Sequence, residues 1–149
     1  MLMPPDAAGR ARVRLLCDRI DSELCPAQFT YLMNKDGEKD KEMREDLERA
    51  LGVLEEALTS SGGPYLAGED FTLADIHVLP FYLRLTVTLR HYKGYEVPRD
   101  KFPKLAQWFE VCSEKASVKV AALSEERIVE VYDRFMDVDY SFGGLNKNK

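Results

Sequence analysis

The cysteines are the side chains in this sequence best suited to nucleophilic chemistry, and there are three of them: Cys17, Cys25 and Cys112. A catalytic thiol is kept as a thiolate by a helix N-terminus, which lowers its pKa to about 4–7. Cys25 precedes Pro26 and follows a long helical pattern, so we expect it near a helix end or kink, where the dipole helps little. We interpret all three as structural thiols and predict no catalytic residue in this chain.

Arginines are the second candidates, because a guanidinium binds anions and polar groups through a planar fork of donors. Arg10 and Arg14 lie in an arginine-rich stretch near the N-terminus, and Arg84 interrupts an apolar segment. Each also has a structural alternative. Arg14 and Asp18 are spaced as an i,i+4 pair on a solvated face, worth only tenths of a kcal/mol (~0.3). Arg84 is as well suited to a salt bridge between helices or domains.

A helix start in the middle of the chain carries the only candidate carboxylate. Thr72 is a favourable N-cap, and Asp75 follows three residues later, where it can return to the Thr72 backbone N–H as in a capping box. Phe71 and Ile76 occupy the positions of a hydrophobic staple. Perturbed carboxylates can mark active sites, but capping accounts for Asp75 fully. We therefore predict a structural role for all four residues.

The elements that would position these residues are helices. Apolar periodicity and end signals predict helices over about residues 6–32, 38–60, 72–91, 102–116 and 124–136, with a short irregular turn at 117–122. Pro26 falls inside the first and should kink or interrupt it. No segment has a convincing strand pattern. The sequence thus predicts an all-α bundle of five to six helices.

Composition excludes several classes of function. The 149 residues fit one domain, and the net charge of −5 argues against general nucleic-acid binding. No apolar run reaches the roughly 20 residues of a membrane span, and the N-terminus lacks a signal-peptide pattern. With only two histidines in the sequence, we expect no His-rich metal site and predict no metal. An odd number of cysteines without framework spacing favours reduced thiols in a protein that is not secreted.

Residues 65–76 (YLAGEDFTLADI), together with Pro80, resemble the all-helical C-terminal domain of the cytosolic glutathione transferases. Residues 89–98 (LRHYKGYEVP) and 35–37 (KDG) are similar to plant-type dehydroascorbate reductases, with the omega-class transferases and chloride intracellular channel proteins nearby. Within this resemblance, residues 1–5 look like the remnant of an interdomain linker, residues 6–138 form the helical domain, and residues 139–149 form a tail expected to be mobile.

The resemblance implies a function shared with a domain that this chain lacks. Family members carry an N-terminal thioredoxin-like domain with the glutathione site and the catalytic residue. We therefore expect the C-terminal, substrate-wall domain of a glutathione-dependent transferase or dehydroascorbate/thiol reductase. Glutathione would be the cofactor of the parent protein and would not bind this chain alone. The expected partners are the missing domain and a small electrophile or oxidised substrate.

The resemblance also implies roles for the arginines, an oligomeric state and a cellular compartment. Arg10 and Arg14 would line an anion-attracting rim of the cleft. Arg84 stands where the plant-type reductases have a histidine near the substrate, a departure that puts dehydroascorbate itself in doubt. A monomer is favoured over a dimer, in the cytoplasm or an organelle stroma. The alternatives are a non-catalytic interaction module of the same fold and a channel-type relative without transferase chemistry.

Overall fold

The structure, a computed structural model, describes residues 2–136 and two short strands beyond them. Its elements are α1 (Ala7–Arg19), a π-helical segment (Ile20–Leu24), α2 (Cys25–Met33), a 3-10 turn (Gly37–Lys39), α3 (Asp40–Ser61), α4 (Leu73–Lys93), α5 (Pro103–Ser113), α6 (Ala116–Ala121), α7 (Glu125–Met136), β1 (Tyr140–Ser141) and β2 (Gly144–Leu145). Because α1, the π segment and α2 run on without a break, the helices form six rods. The prediction of an all-α bundle of five to six helices is confirmed.

Two elements differ from the predictions. Residues 116–121 form a short helix where an irregular turn was expected, and β1 pairs with β2 in an antiparallel ladder where no strand was expected. Both elements are too short for periodicity to reveal them, since a strand of two residues has no alternation to count. The tail predicted to be mobile, residues 139–149, lies outside the described residues except for these strands.

The first rod contains a local widening of the helix just before Pro26. The Cys25 N–H donates to the carbonyl of Ile20, five residues earlier, which is the π-helical pattern. Pro26 has no N–H to donate and its ring crowds the preceding turn, so the α-helical ladder cannot pass through it unchanged. The predicted interruption thus takes the form of one π turn, and Cys25 lies in mid-rod with helix on both sides.

The core lies between the faces of α2, α3, α4 and α5. On α3 the buried stripe repeats at helical spacing through Leu47, Leu51, Leu54 and Leu58. α4 is buried on most of its faces, and it packs against α1, α2 and α7. Trp108 of α5 is almost completely buried. Among the described residues, no helix is long and apolar enough to cross a membrane.

A side chain from α3 fixes the start of α5. The Glu55 carboxylate accepts from the backbone N–H of Lys104 at 3.0 Å and from that of Leu105 at 2.8 Å. These N–H groups belong to the first turn of α5, where no partner exists within the helix. The negative charge also suits the positive end of the helix dipole. Glu55 therefore holds α5, and with it Trp108, against the rest of the bundle.

Candidate functional site

The start of α4 is organised around Asp75, which is completely buried. One carboxylate oxygen accepts from the Thr72 N–H at 2.8 Å and from the Thr72 hydroxyl at 3.3 Å. The other accepts from the Leu66 N–H at 3.0 Å and from the Trp108 indole N–H at 2.8 Å. Thr72 is the N-cap and forms a capping box with Asp75. The carboxylate therefore joins the cap of α4 to the preceding loop and to α5.

The two residues at the staple positions lie in different surroundings. The Phe71 ring packs edge-on against Tyr65 with centroids 5.5 Å apart, and the Lys115 ammonium lies 4.8 Å from the Phe71 centroid. Ile76, by contrast, is 39% exposed. The structure thus brings Phe71 to the loop and to α5–α6. It leaves Ile76 on the outer face of α4.

That outer face of α4 continues to Arg84. Leu73, Ile76 and Pro80 are exposed, and their spacing places them on the same side of the helix as Arg84. The Arg84 Nε donates to the Pro80 carbonyl at 3.1 Å, and its guanidinium carbon lies 4.7 Å from the centroid of the Phe81 ring. Within residues 2–136, no carboxylate comes within ion-pair distance of Arg84. Among residues 2–136 Arg84 thus forms no interhelical salt bridge, and a salt bridge to another domain stays an alternative.

Arg84 also acts on two neighbouring groups, the Cys25 thiol and the Tyr132 phenol. Burial dominates at Cys25 and, with the charge of Asp21, raises its pKa to about 11, while Arg84 lowers it. Burial likewise raises the pKa of Tyr132, against an opposing effect of Arg84. The site thus combines a half-buried cation, a protonated thiol and a phenol at the junction of α2, α4 and α7.

The arginines of α1 are placed elsewhere. Arg10 folds back onto the chain before α1 and donates to the carbonyls of Pro4, at 3.4 Å, and of Pro5. Arg14 is exposed, and in the described residues it forms no ion pair with Asp18, so the proposed i,i+4 pair is absent. Both side chains are exposed there, which leaves little to hold such a pair together.

A histidine–aspartate contact ties the π-helical segment to α4. His77 Nε2 lies 2.8 Å from Oδ1 of Asp21, and the His77 ring is 5.9 Å from that of Phe81. Asp21 and Tyr132 are site residues that the sequence did not reveal. In the sequence, Tyr132 has the spacing of a core residue and nothing marks it as a polar contact. Asp21 pairs with a residue 56 positions away, which local spacing cannot show. The Phe81–Arg84 contact has a sequence signal, since residues three apart on a helix are neighbours.

Three grooves of the described surface lie on other faces. One of about 680 Å³ runs along α3 beside Lys101 and Phe102, and another of about 680 Å³ lies between α4 and α7 near Arg90. A third, of about 540 Å³, lies at the end of α4 beside Tyr95. Arg84 lines none of these three grooves. Among the described residues, no group of three His, Cys, Asp or Glu is placed to hold a metal.

Residues 19–116 match the family described as Glutathione S-transferase, C-terminal domain. The chain belongs to this family. It is 29% identical to Glutathione S-transferase U19 of Arabidopsis thaliana over 129 residues, which cover 87% of this chain and 57% of that protein. It is 35% identical to Glutathione S-transferase DHAR2 of Arabidopsis thaliana over 83 residues, 54% of this chain and 37% of that protein.

A solved structure shows the same fold for the glutathione S-transferase domain described here. The Tau class glutathione S-transferase MiGSTU from mango, Mangifera indica, superposes with a TM-score of 0.80 at 22% identity, over 91% of this chain and 62% of that one. The chain spans between about a third and three fifths of the length of the curated relatives to which it is similar. The recognition of a glutathione transferase C-terminal domain from residues 65–76 and Pro80 is thus confirmed.

Proposed function

We propose that this domain is the substrate-facing wall of a glutathione-dependent transferase or dehydroascorbate/thiol reductase whose thioredoxin-like domain lies outside this chain. The observation that carries the proposal is the outer face of α4. It presents exposed apolar side chains that lead to Arg84, a cation with no carboxylate partner among residues 2–136. An open face of this kind becomes a cleft only when a second body covers it.

The chemistry of the described residues supports placing glutathione on that second body. Among residues 2–136, every buried side-chain nitrogen or oxygen already has a hydrogen-bond partner. A tripeptide with two carboxylates and an ammonium needs a set of polar groups that are free to bind it. The buried polar groups are therefore engaged within the fold, which supports placing glutathione on the second body, and no step of its chemistry is assigned to these residues.

The role left to this chain is to bind and orient the second substrate. The guanidinium of Arg84 is fixed at Nε by the Pro80 carbonyl, so its terminal nitrogens can hold an anionic or polar group in one orientation. The apolar face of α4 would exclude water from the apolar part of the substrate. Cys25 would stay protonated and take no part as a nucleophile. Arg10 and Arg14 would contribute only long-range attraction at the rim of the cleft.

The proposal also includes the oligomeric state of the domain and its cellular compartment. The outward side of α3 carries a dense set of exposed charged residues, among them Lys41, Glu42, Arg44 and Arg49. Desolvating so many charges is costly, which supports a monomer over a dimer built on α3. Three unpaired cysteines support a reducing compartment, the cytoplasm or an organelle stroma. The mass in solution tests the monomer directly.

A titration with glutathione tests the division of labour between the domains. The isotope-labelled chain is mixed with reduced glutathione, and its backbone amide signals are followed by NMR. We expect no saturable binding at sub-millimolar concentration. Saturable binding in that range would show that this chain holds a glutathione site and would overturn the proposal. Fusion of the upstream reading frame to a synthetase or elongation-factor domain would instead favour the interaction module.

A further inference from the structure

Arg84 is held in place before any ligand arrives. Its Nε donates to the Pro80 carbonyl, and its guanidinium lies over the Phe81 ring at 4.7 Å. Both anchors come from the same helix, at i−4 and i−3, so they hold in this chain without a second body. The two terminal nitrogens have no partner among residues 2–136. They carry four N–H donors in a rigid plane, the arrangement that binds a carboxylate through two parallel hydrogen bonds.

A phenolic hydroxyl accompanies this fork. The Tyr132 ring is only 9% exposed, yet its hydroxyl has no hydrogen-bond partner in the described residues. Since no buried side-chain oxygen or nitrogen of residues 2–136 lacks a partner, this hydroxyl must reach the surface. The positive charge of Arg84 lowers the pKa of this phenol, against the larger effect of burial. A second polar group is thus accessible on α7, the helix that packs against α4.

The rest of the site is flat and apolar. Tyr132 stacks on Phe29 with ring centroids 6.4 Å apart and planes inclined by 29°. Phe81 lies beneath the guanidinium, and Pro80 is exposed one turn before Arg84. Rings and a prolyl face suit a planar apolar body, whereas a strongly hydrated ligand such as a sugar would find few polar groups here.

The geometry points to a specificity determinant: Arg84, fixed by Pro80 and Phe81, selects planar aromatic or conjugated substrates that carry a carboxylate. This inference rests on the proposed function for the location of the cleft, and it adds the class of substrate. The single cation is what sets the class. A doubly charged phosphate would favour a site with two cations. Arg10 does not supply the second one, because it donates to the carbonyls of Pro4 and Pro5.

The test uses the full chain, labelled with nitrogen-15, and three probes at matched ionic strength: trans-cinnamate, trans-cinnamamide and inorganic phosphate. The Arg84 Nε–H signal is identified by its loss in Arg84→Lys. We expect cinnamate to shift this signal saturably and to bind at least about tenfold more tightly than the amide, the ratio typical of a charge-assisted bond. Phosphate should bind more weakly than cinnamate.

Two variants separate this effect from a general one. Arg84→Met should abolish the preference for cinnamate over cinnamamide, while circular dichroism shows the fold intact. Arg90→Met is the matched control, because Arg90 also lies on α4 but is paired with Glu125 at 2.5 Å. That variant should keep the preference. Tyr132→Phe should weaken cinnamate binding without removing the preference.

The inference is overturned by any of three results. The first is that cinnamate leaves the Arg84 signal unshifted up to about 10 mM, where a millimolar Kd would give about 90% saturation. The second is that the amide binds as tightly as the acid, and the third is that phosphate binds as tightly as cinnamate. Each of these leaves the proposed function standing. Sub-millimolar binding of glutathione would do the reverse, since it would overturn the proposed function while leaving the carboxylate preference intact.

Discussion

Replacing Asp75 by Asn is the most informative perturbation of this fold. The side chain keeps its size, but one of its two acceptor oxygens becomes an NH2 group. That group would face either the Thr72 N–H or the donors from Leu66 and Trp108, so two donors would meet. Each orientation of the amide therefore leaves at least one buried N–H without an acceptor.

The cost follows from the number of orphaned donors. A buried donor without a partner costs about 1–3 kcal/mol, and the lost bonds to a charged acceptor lie toward the upper end. We expect Asp75→Asn to lower the free energy of unfolding by about 2–4 kcal/mol. Asp75→Ala, which orphans three N–H groups, should cost about 3–5 kcal/mol even after water partly fills the space. Thr72→Ala removes only the cap hydroxyl and should cost about 1–2 kcal/mol.

The single tryptophan provides the assay. Trp108 donates to Asp75 directly, so its fluorescence follows both the integrity of this bond and global unfolding in urea. Circular dichroism of the same samples checks that the transition is two-state. Asp70→Asn is the matched control: it makes the same chemical change in the same loop, at an exposed residue, and should stay within about 0.5 kcal/mol of the parent.

The order in which these variants destabilise the protein decides whether the account of Asp75 holds. If Asp75→Asn were no more destabilising than Asp70→Asn, the hydrogen bonds to Asp75 would not hold the start of α4. If Thr72→Ala cost more than Asp75→Ala, the local cap would matter more than the link to α5, and the reasoning from Trp108 would be refuted.

Two further predictions concern a thiol and a helix start. With its pKa raised to about 11, Cys25 is thiolate in only about one molecule in 3,000 at pH 7.5, so iodoacetamide should modify it slowly in the native protein and rapidly in guanidinium. Because the unfolded thiol loses its proton near pH 9 and the folded one only near 11, this group's contribution to stability should be constant below pH 9 and decline above it; rapid native alkylation would contradict this account. Glu55→Ala should lower the free energy of unfolding by about 1–2 kcal/mol, because it removes the cap of α5. Glu56→Ala changes an exposed neighbour and should have little effect in the same urea titration. Equal effects of the two variants would count against the cap.

The helices themselves were predictable because their signals are local. Leu47, Leu51, Leu54 and Leu58 recur at helical spacing, and the residue types that begin and end α3 and α4 lie within a few positions of each end. The interruption before Pro26 was predictable for the same reason, since a missing N–H acts within one turn. The short elements at 116–121 and 140–145 escaped prediction because they contain too few residues to show a period.

The surroundings of Arg84 illustrate where sequence reasoning reached its limit. The sequence marks this residue as a cation in an apolar helix, and it allows both a salt bridge and a substrate contact. Only the packing shows that no carboxylate among residues 2–136 reaches it, and that Tyr132 lies near it from α7. For Cys25 the sequence already indicated a structural thiol, and the packing adds the burial that raises its pKa to about 11.

By itself, the sequence determined the all-α class, the helix that begins at Thr72 and the family to which the chain belongs. These depend on interactions between residues a few positions apart, which spacing records. The tertiary structure decided the partners that lie far apart in the chain, Trp108 for Asp75 at 33 positions and Glu55 for Leu105 at 50. It also decided that, within residues 2–136, Arg84 has no carboxylate partner. Such contacts arise when helices pack, and the periodicity of one helix carries no information about the side chains of another.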